Sequence, residues 1–166
     1  MPIHFEDSEV ISAVAGLSSV LIVPCNLCPA VTVATRQNRP FMRIFRNPVR
    51  SAPFEEYLDA MQADLGEKGI ASKVFRSNIY HQWFMCMWTE RRRKKLAREA
   101  RDYDAVIVLG CDSATETVRD VVPDDVKVIE GMKTTGIMNG RMSFRLPDNI
   151  VFDGCKVVPI SQQKVV

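Results

Sequence analysis

Thiols are the residues of this chain best placed to do chemistry. Cysteine occurs at Cys25, Cys28, Cys86, Cys111 and Cys155. Five in a chain of this length are too few for a disulfide scaffold, and an odd number points to metal or thiol chemistry in a reducing compartment. Cys25 and Cys28 form a C-x-x-C pair, Cys-Asn-Leu-Cys, directly after the apolar run Val-Leu-Ile-Val-Pro. Cys111 follows a second apolar run, Ala-Val-Ile-Val-Leu-Gly, and Cys86 lies in His-Gln-Trp-Phe-Met-Cys-Met-Trp. If both runs are parallel strands, Cys25, Cys28 and Cys111 share the carboxyl edge of one sheet, where loops from neighbouring strands converge. Cys86, between a strand and a helix, belongs to the same edge.

Four thiolates form a complete tetrahedral donor set, suited to zinc or to an iron-sulfur cluster. Structural zinc usually draws its ligands from two close pairs. Here one pair is joined by two distant single cysteines, and Trp83, Phe84, Met85, Met87 and Trp88 make the surroundings of Cys86 strongly apolar. Low solvent access tunes a redox potential, so the expected cofactor is an iron-sulfur cluster, a 4Fe-4S cluster first, with zinc as the alternative. The competing readings are a dithiol redox pair at Cys25 and Cys28, which leaves Cys86 and Cys111 without a role, and ordinary buried thiols, the commonest fate of a cysteine at a strand end. Cys155 follows Asp153-Gly154 outside this edge and is expected to pack or to remain a simple thiol.

The elements that must hold these residues follow from apolar patterning. Residues 18–25 and 105–110 are continuous apolar runs short enough to be strands buried on both faces. Ser51 and Pro53 open a helix whose stripe is Phe54, Tyr57, Leu58, Met61 and Leu65, and Gly69 ends it. Residues 72–75 and 126–129 read as further strands, residues 89–103 as a charged helix with Leu96, Ala100 and Tyr103 on a narrow apolar face, and Asp112 or Ser113 as the cap of a helix running to Val122. A weaker strand is expected near residues 43–45, inside a basic connecting stretch at 36–50. Asn139-Gly140 and Asp153-Gly154 are two-residue turn signals among β-favouring residues. The fold class is therefore α/β: a mostly parallel sheet with helices on both faces, Rossmann-like or flavodoxin-like, and a C-terminal antiparallel β-ribbon. One metal-binding domain is expected over residues 1–166, with its core at about 18–130 and the β appendage at about 131–166.

Composition restricts the partners. Twenty-two basic and 20 acidic residues leave a net charge of +2, too even to imply nucleic acid or a membrane surface. No apolar run approaches the roughly 20 residues of a membrane span, and the acidic start lacks the features of a secretory signal, so a cytoplasmic location is expected. The run Arg91-Arg92-Arg93-Lys94-Lys95 is first a solvated helix face and second a docking surface for an acidic partner or an anionic cofactor. Without an aromatic platform it does not suggest nucleic-acid binding. His4 and His81 are the histidines, and neither belongs to an arrangement that suggests catalysis.

The order strand, CNLC, helix, apolar loop with Cys86, helix, DYDAVIVLGCDSATETV, then a strand and EGMKTTGIMNG resembles the small iron-sulfur subunit of bacterial methylenetetrahydrofolate reductase. More distantly it is similar to the small iron-sulfur subunit of hydrogenases linked to heterodisulfide reductase. The resemblance covers about residues 18–140, and CNLC and AVIVLGC are its most specific parts. It implies cluster ligands at Cys25, Cys28, Cys86 and Cys111. It further implies a non-catalytic, electron-transfer or accessory role beside a larger flavin- or corrinoid-dependent oxidoreductase of one-carbon metabolism. The reductase subunit has an additional cysteine-rich C-terminal segment, whereas this chain has only Cys155 there. The alternative functions are a thiol-disulfide oxidoreductase using Cys25 and Cys28, and a zinc-stabilised interaction module. Docking is expected beside the centre, through a surface that includes Trp83, Trp88 and the start of the run Arg91 to Lys95.

Overall fold

The computed structural model describes residues 3–46, 50–76 and 84–160. Its centre is a parallel sheet of β2 (Ser19–Pro24), β4 (Ala71–Val74), β5 (Ala105–Leu109) and β6 (Lys127–Glu130), in the order β4-β2-β5-β6. The two middle strands are the continuous apolar runs of the sequence, and both of their faces are covered. Val20 and Ile22 share one face with Ala105, Ile107 and Leu109, while Leu21 and Val23 share the other with Val106 and Val108, as the pairing of Val20 with Ala105 requires. On the second face lie α4 (Glu90–Ala100) and α5 (Asp112–Arg119), which contribute Leu96, Ala100, Ala114 and Val118. On the first lie α2 (Cys28–Arg36) and α3 (Ala52–Glu67); α3 buries Phe54, Leu58 and Leu65 of the expected stripe.

The second sheet is antiparallel and contains β1 (Ile3–Asp7), β7 (Met132–Arg145), β8 (Asn149–Pro159) and β3 (Met42–Arg43), in the order β1-β7-β8-β3. It packs over α2. Residues 29–34 of that helix are buried all round, because one side meets the parallel core and the other meets β1 and β8. The Thr32 hydroxyl donates to the Ile3 carbonyl at 3.1 Å, tying helix to sheet. One hydrophobic cluster includes Phe5 and Met138 from the antiparallel sheet with Ile22 and Ile107 from the parallel one.

Several local expectations change. The chain between β7 and β8 reverses at 146–148, not at either glycine dipeptide. Asn139-Gly140 and Asp153-Gly154 face each other in mid-strand, where the register shifts between Asn139 and Arg141. Gly154 has φ +60°, and a bulge needs this left-handed geometry for the same reason a tight turn does. Cys111, not Asp112 or Ser113, is the N-cap residue of α5. Ser51 holds the N-cap position of α3, but its hydroxyl makes no capping bond. The short α1 (Val10–Ala13) lies between β1 and β2, and a 3-10 turn, Met85–Met87, lies between β4 and α4. No helix among the described residues is long and apolar enough to cross a membrane.

Candidate metal centre

In chain order the parallel strands run β2, β4, β5, β6, yet in space β4 lies on one side of β2 and β5 on the other. The chain thus reverses its direction of travel between β2 and β5, and the crevice beyond their carboxyl ends is the preferred ligand position of an open parallel sheet. Cys25 directly follows β2, and Cys111 follows β5 after Gly110. The Cys25 N–H donates to the Leu109 carbonyl at 2.8 Å, extending the pairing of the two strands to the lip of the crevice. Gly110 allows the close approach: a Cβ there would lie 2.6 Å from the Ala114 Cβ and 3.5 Å from the Cys25 Cβ. Cys28 is the first residue of α2 and Cys111 caps α5, so both sulfurs sit at helix N-termini, which favour negative charge.

The thiols sense one another. Burial is the largest influence on Cys25, pushing its thiol up to about 11; the N–H groups of Met85 and Leu27 hydrogen-bond to the sulfur and pull the other way, while negative charge on Cys28 or Cys111 raises it further. Cys28 is also raised, first by burial and then by Cys111 and Cys86, against an N–H bond from Ile3 in β1. Cys25, Cys28 and Cys111 therefore lie within electrostatic reach of each other, and Cys86 joins through Cys28. Two thiols whose anions are disfavoured by burial and by mutual repulsion, yet are met by N–H donors, suit a bound cation, which inverts the balance and holds thiolates outright. Among the described residues no three or more Cys, His, Asp or Glu side chains are grouped so as to hold a single metal ion. The donor chemistry fits a thiolate-ligated group, and all four sulfurs remain thiols in no disulfide.

Cys86 sits in a 3-10 turn, Met85–Met87, packed against α5. Met85 and Trp88 point into the core beside Cys25, whereas Cys86 and Met87 are exposed and Phe84 is 39% accessible. The apolar surroundings expected there are thus half core and half surface; Trp83 and His81 lie outside the described residues. His4 is in β1, bonded through Nδ1 to the Thr135 hydroxyl at 3.0 Å. Cys155 lies in β8, packed against the cluster that spans both sheets, with its thiol donating to the Phe152 carbonyl at 3.6 Å.

The basic run is not a uniformly solvated face. Arg92 is only 5% exposed, and its guanidinium stacks 3.9 Å from the Phe75 ring centre and 5.0 Å from that of Trp88. Burial draws its pKa down to about 10, leaving it charged at neutral pH. Trp88 is buried too, so neither residue supplies the docking surface expected of it. A second basic feature was not apparent in the sequence: Arg50 and Arg76 both pair with Glu55 and, with Asn26 of the CNLC loop, line one small crevice. Only the fold brings residues 26, 50 and 76 together. A larger cleft of about 600 Å³ opens between Val10, Ile11, Tyr57 and Met61, and no cysteine lines it. No protein-family model matches the chain, nor does any curated protein or solved structure.

Proposed function

We propose that the protein is an iron-sulfur subunit, with Cys25, Cys28, Cys86 and Cys111 as the ligands of a 4Fe-4S cluster, and that it passes electrons to or from a larger flavin- or corrinoid-dependent redox enzyme. What supports this reading is that Cys25 and Cys111 follow the neighbouring strands β2 and β5 at the reversal point of the parallel sheet, with Cys28 opening α2 three residues after Cys25 and the Cys86 turn packed against α5. The bound group would supply one-electron chemistry. The chain supplies the rest: two helix N-termini and N–H donors from Leu27, Met85 and Ile3 stabilise negative charge on the sulfurs and tune the potential. Exposed Phe84 and Met87, within two residues of Cys86, would offer an apolar contact in place of the buried Trp88 and Arg92 as the docking surface. The order of motifs supports the class of enzyme served, that of methylenetetrahydrofolate reductase.

A thiol-disulfide oxidoreductase would need a thiol of lowered pKa. Burial moves Cys25 and Cys28 the opposite way. Protein purified without oxygen should show broad visible charge-transfer absorption that bleaches on adding dithionite. A colourless protein that instead turns over dithiol substrates would overturn the proposal.

A further inference from the structure

Two apolar patches of opposite charge lie at opposite ends of one long strand. β7 starts at Met132, which pairs with Asp7 of β1, and finishes at Arg145, which pairs with Asn149 of β8. Its 14 residues hold the two ends on the order of 40 Å apart, at about 3.3 Å per residue. At the far end Arg43 pairs with Asn149 and the Ile44 N–H donates to the Asp148 carbonyl at 2.8 Å, so the turn at 44–46 lies beside the reversal at 146–148. Phe45 in that turn is 79% exposed, Phe144 is 67% exposed and Leu146 95%. Arg43, Arg46, Arg141 and Arg145 stand against Asp148 and Asp153, so this tip is cationic; the one ion pair there among the described residues joins Arg145 to Asp153. Single exposed apolar residues are ordinary, but a group of this size marks a contact surface.

At the near end is the cleft of about 600 Å³, lined by Ile11, Tyr57 and Met61 and by the carboxylates of Asp7, Glu9 and Asp64. Arg36 and the Tyr57 hydroxyl take up Asp7, each at 3.1 Å, whereas Glu9 and Asp64 are in no ion pair among the described residues. The cleft is therefore apolar and anionic. We infer that the tip of one copy seats in the cleft of the next, with Phe45 and Leu146 against Ile11, Tyr57 and Met61 and with Arg43 and Arg46 facing Glu9 and Asp64. The occupant is a second copy because the chain itself carries both halves of a complementary contact. An anionic bilayer would match the charge of the tip but leave the cleft uncovered. The separation along β7 prevents a chain from filling its own cleft. A contact between two different patches is heterologous, so it repeats head to tail and ends by closing a ring or runs on as a filament. No cysteine takes part, so the contact stands apart from the metal centre.

Sedimentation velocity of the full chain over a concentration range tests this. The wild-type sedimentation coefficient should climb with concentration past that of a dimer. Phe45→Asp at the tip, and Glu9→Lys combined with Asp64→Lys at the cleft, should each weaken association about tenfold or more. At a concentration where each variant alone is monomeric, their equimolar mixture should form a 1:1 dimer that grows no further, because the first keeps only its cleft and the second only its tip. Circular dichroism identifies a variant that fails to fold, and Asp64→Lys alone keeps the comparison available. Wild type that stays monomeric, including one that Phe45 carries onto phosphatidylserine vesicles instead, overturns the inference. So does association that survives both variants, or a mixture that stays monomeric.

Discussion

Replacing Gly110 with alanine tests the positioning of the centre through packing alone. The new Cβ would stand 2.6 Å from the Ala114 Cβ, about 1 Å inside ordinary carbon contact, and neither atom can rotate away. It would stand 3.5 Å from the Cys25 Cβ, which is ordinary contact, so the strain falls on α5 and not on the CNLC loop. Overpacking of this kind costs about 1–3 kcal/mol, and restricting the unfolded chain returns about 0.4–1 kcal/mol. A net loss of about 1.3 kcal/mol is expected, lowering the urea midpoint by about 0.6 M for a slope of about 2 kcal/mol/M. Metal loading should fall as well, because α5 carries Cys111 at its cap. Ala114→Gly alone should cost about 1 kcal/mol as a helix-interior glycine. Combined with Gly110→Ala it removes the collision, so the double variant should match Ala114→Gly and not the sum of the two single losses. A Gly110→Ala protein as stable as wild type, or strictly additive losses, would refute the packing account of this corner.

Arg92→Met should change unfolding free energy by less than about 1 kcal/mol, because a lost cation–π contact and a removed unpartnered buried Nε nearly offset, whereas Arg92→Glu should cost about 3–5 kcal/mol. Equal, negligible effects in chemical denaturation would restore the solvated-face reading. Asp104 accepts N–H bonds from Ser18 and Ser19 at 2.8 and 2.9 Å, and these hold its carboxyl below the ordinary range. Its contribution is therefore present above the unfolded pKa of about 4 and lost as pH falls through the folded value. Asp104→Asn should lower the urea midpoint at neutral pH, with the gap closing in acid; a gap that widens in acid would contradict this. Cys155→Ser should leave metal content unchanged, and chelation of the wild type should lower its melting temperature, because the proposed centre would tie three loops together.

How far the sequence revealed the molecule depended on whether an element's role was local. Strands β2 and β5 were legible because burial on both faces leaves an unbroken apolar run, and α3 because one buried face writes a helical stripe. Helix α2 carries no stripe: it is enclosed between the parallel core and the antiparallel sheet, so apolar periodicity is lost. Strand β1 earns its place by pairing with β7, some 130 residues away, and nothing near Phe5 signals that. Asp153-Gly154 signalled left-handed backbone, which Gly154 adopts, but neither glycine dipeptide could distinguish a bulge from a turn. The place of Cys25 and Cys111 just beyond neighbouring strands was legible because strand-end position alone determines the edge. The inward turn of Arg92 was not, since it depends on the Phe75 and Trp88 rings.

X-ray absorption at the iron and zinc edges of protein purified without oxygen reaches the central claim most directly. An iron-sulfur cluster on these cysteines requires iron with a sulfur first shell and iron–iron backscattering, retained in Cys155→Ser and lost in Cys25→Ser. Zinc in a sulfur shell, or iron bound by oxygen and nitrogen and indifferent to Cys25→Ser, would contradict it.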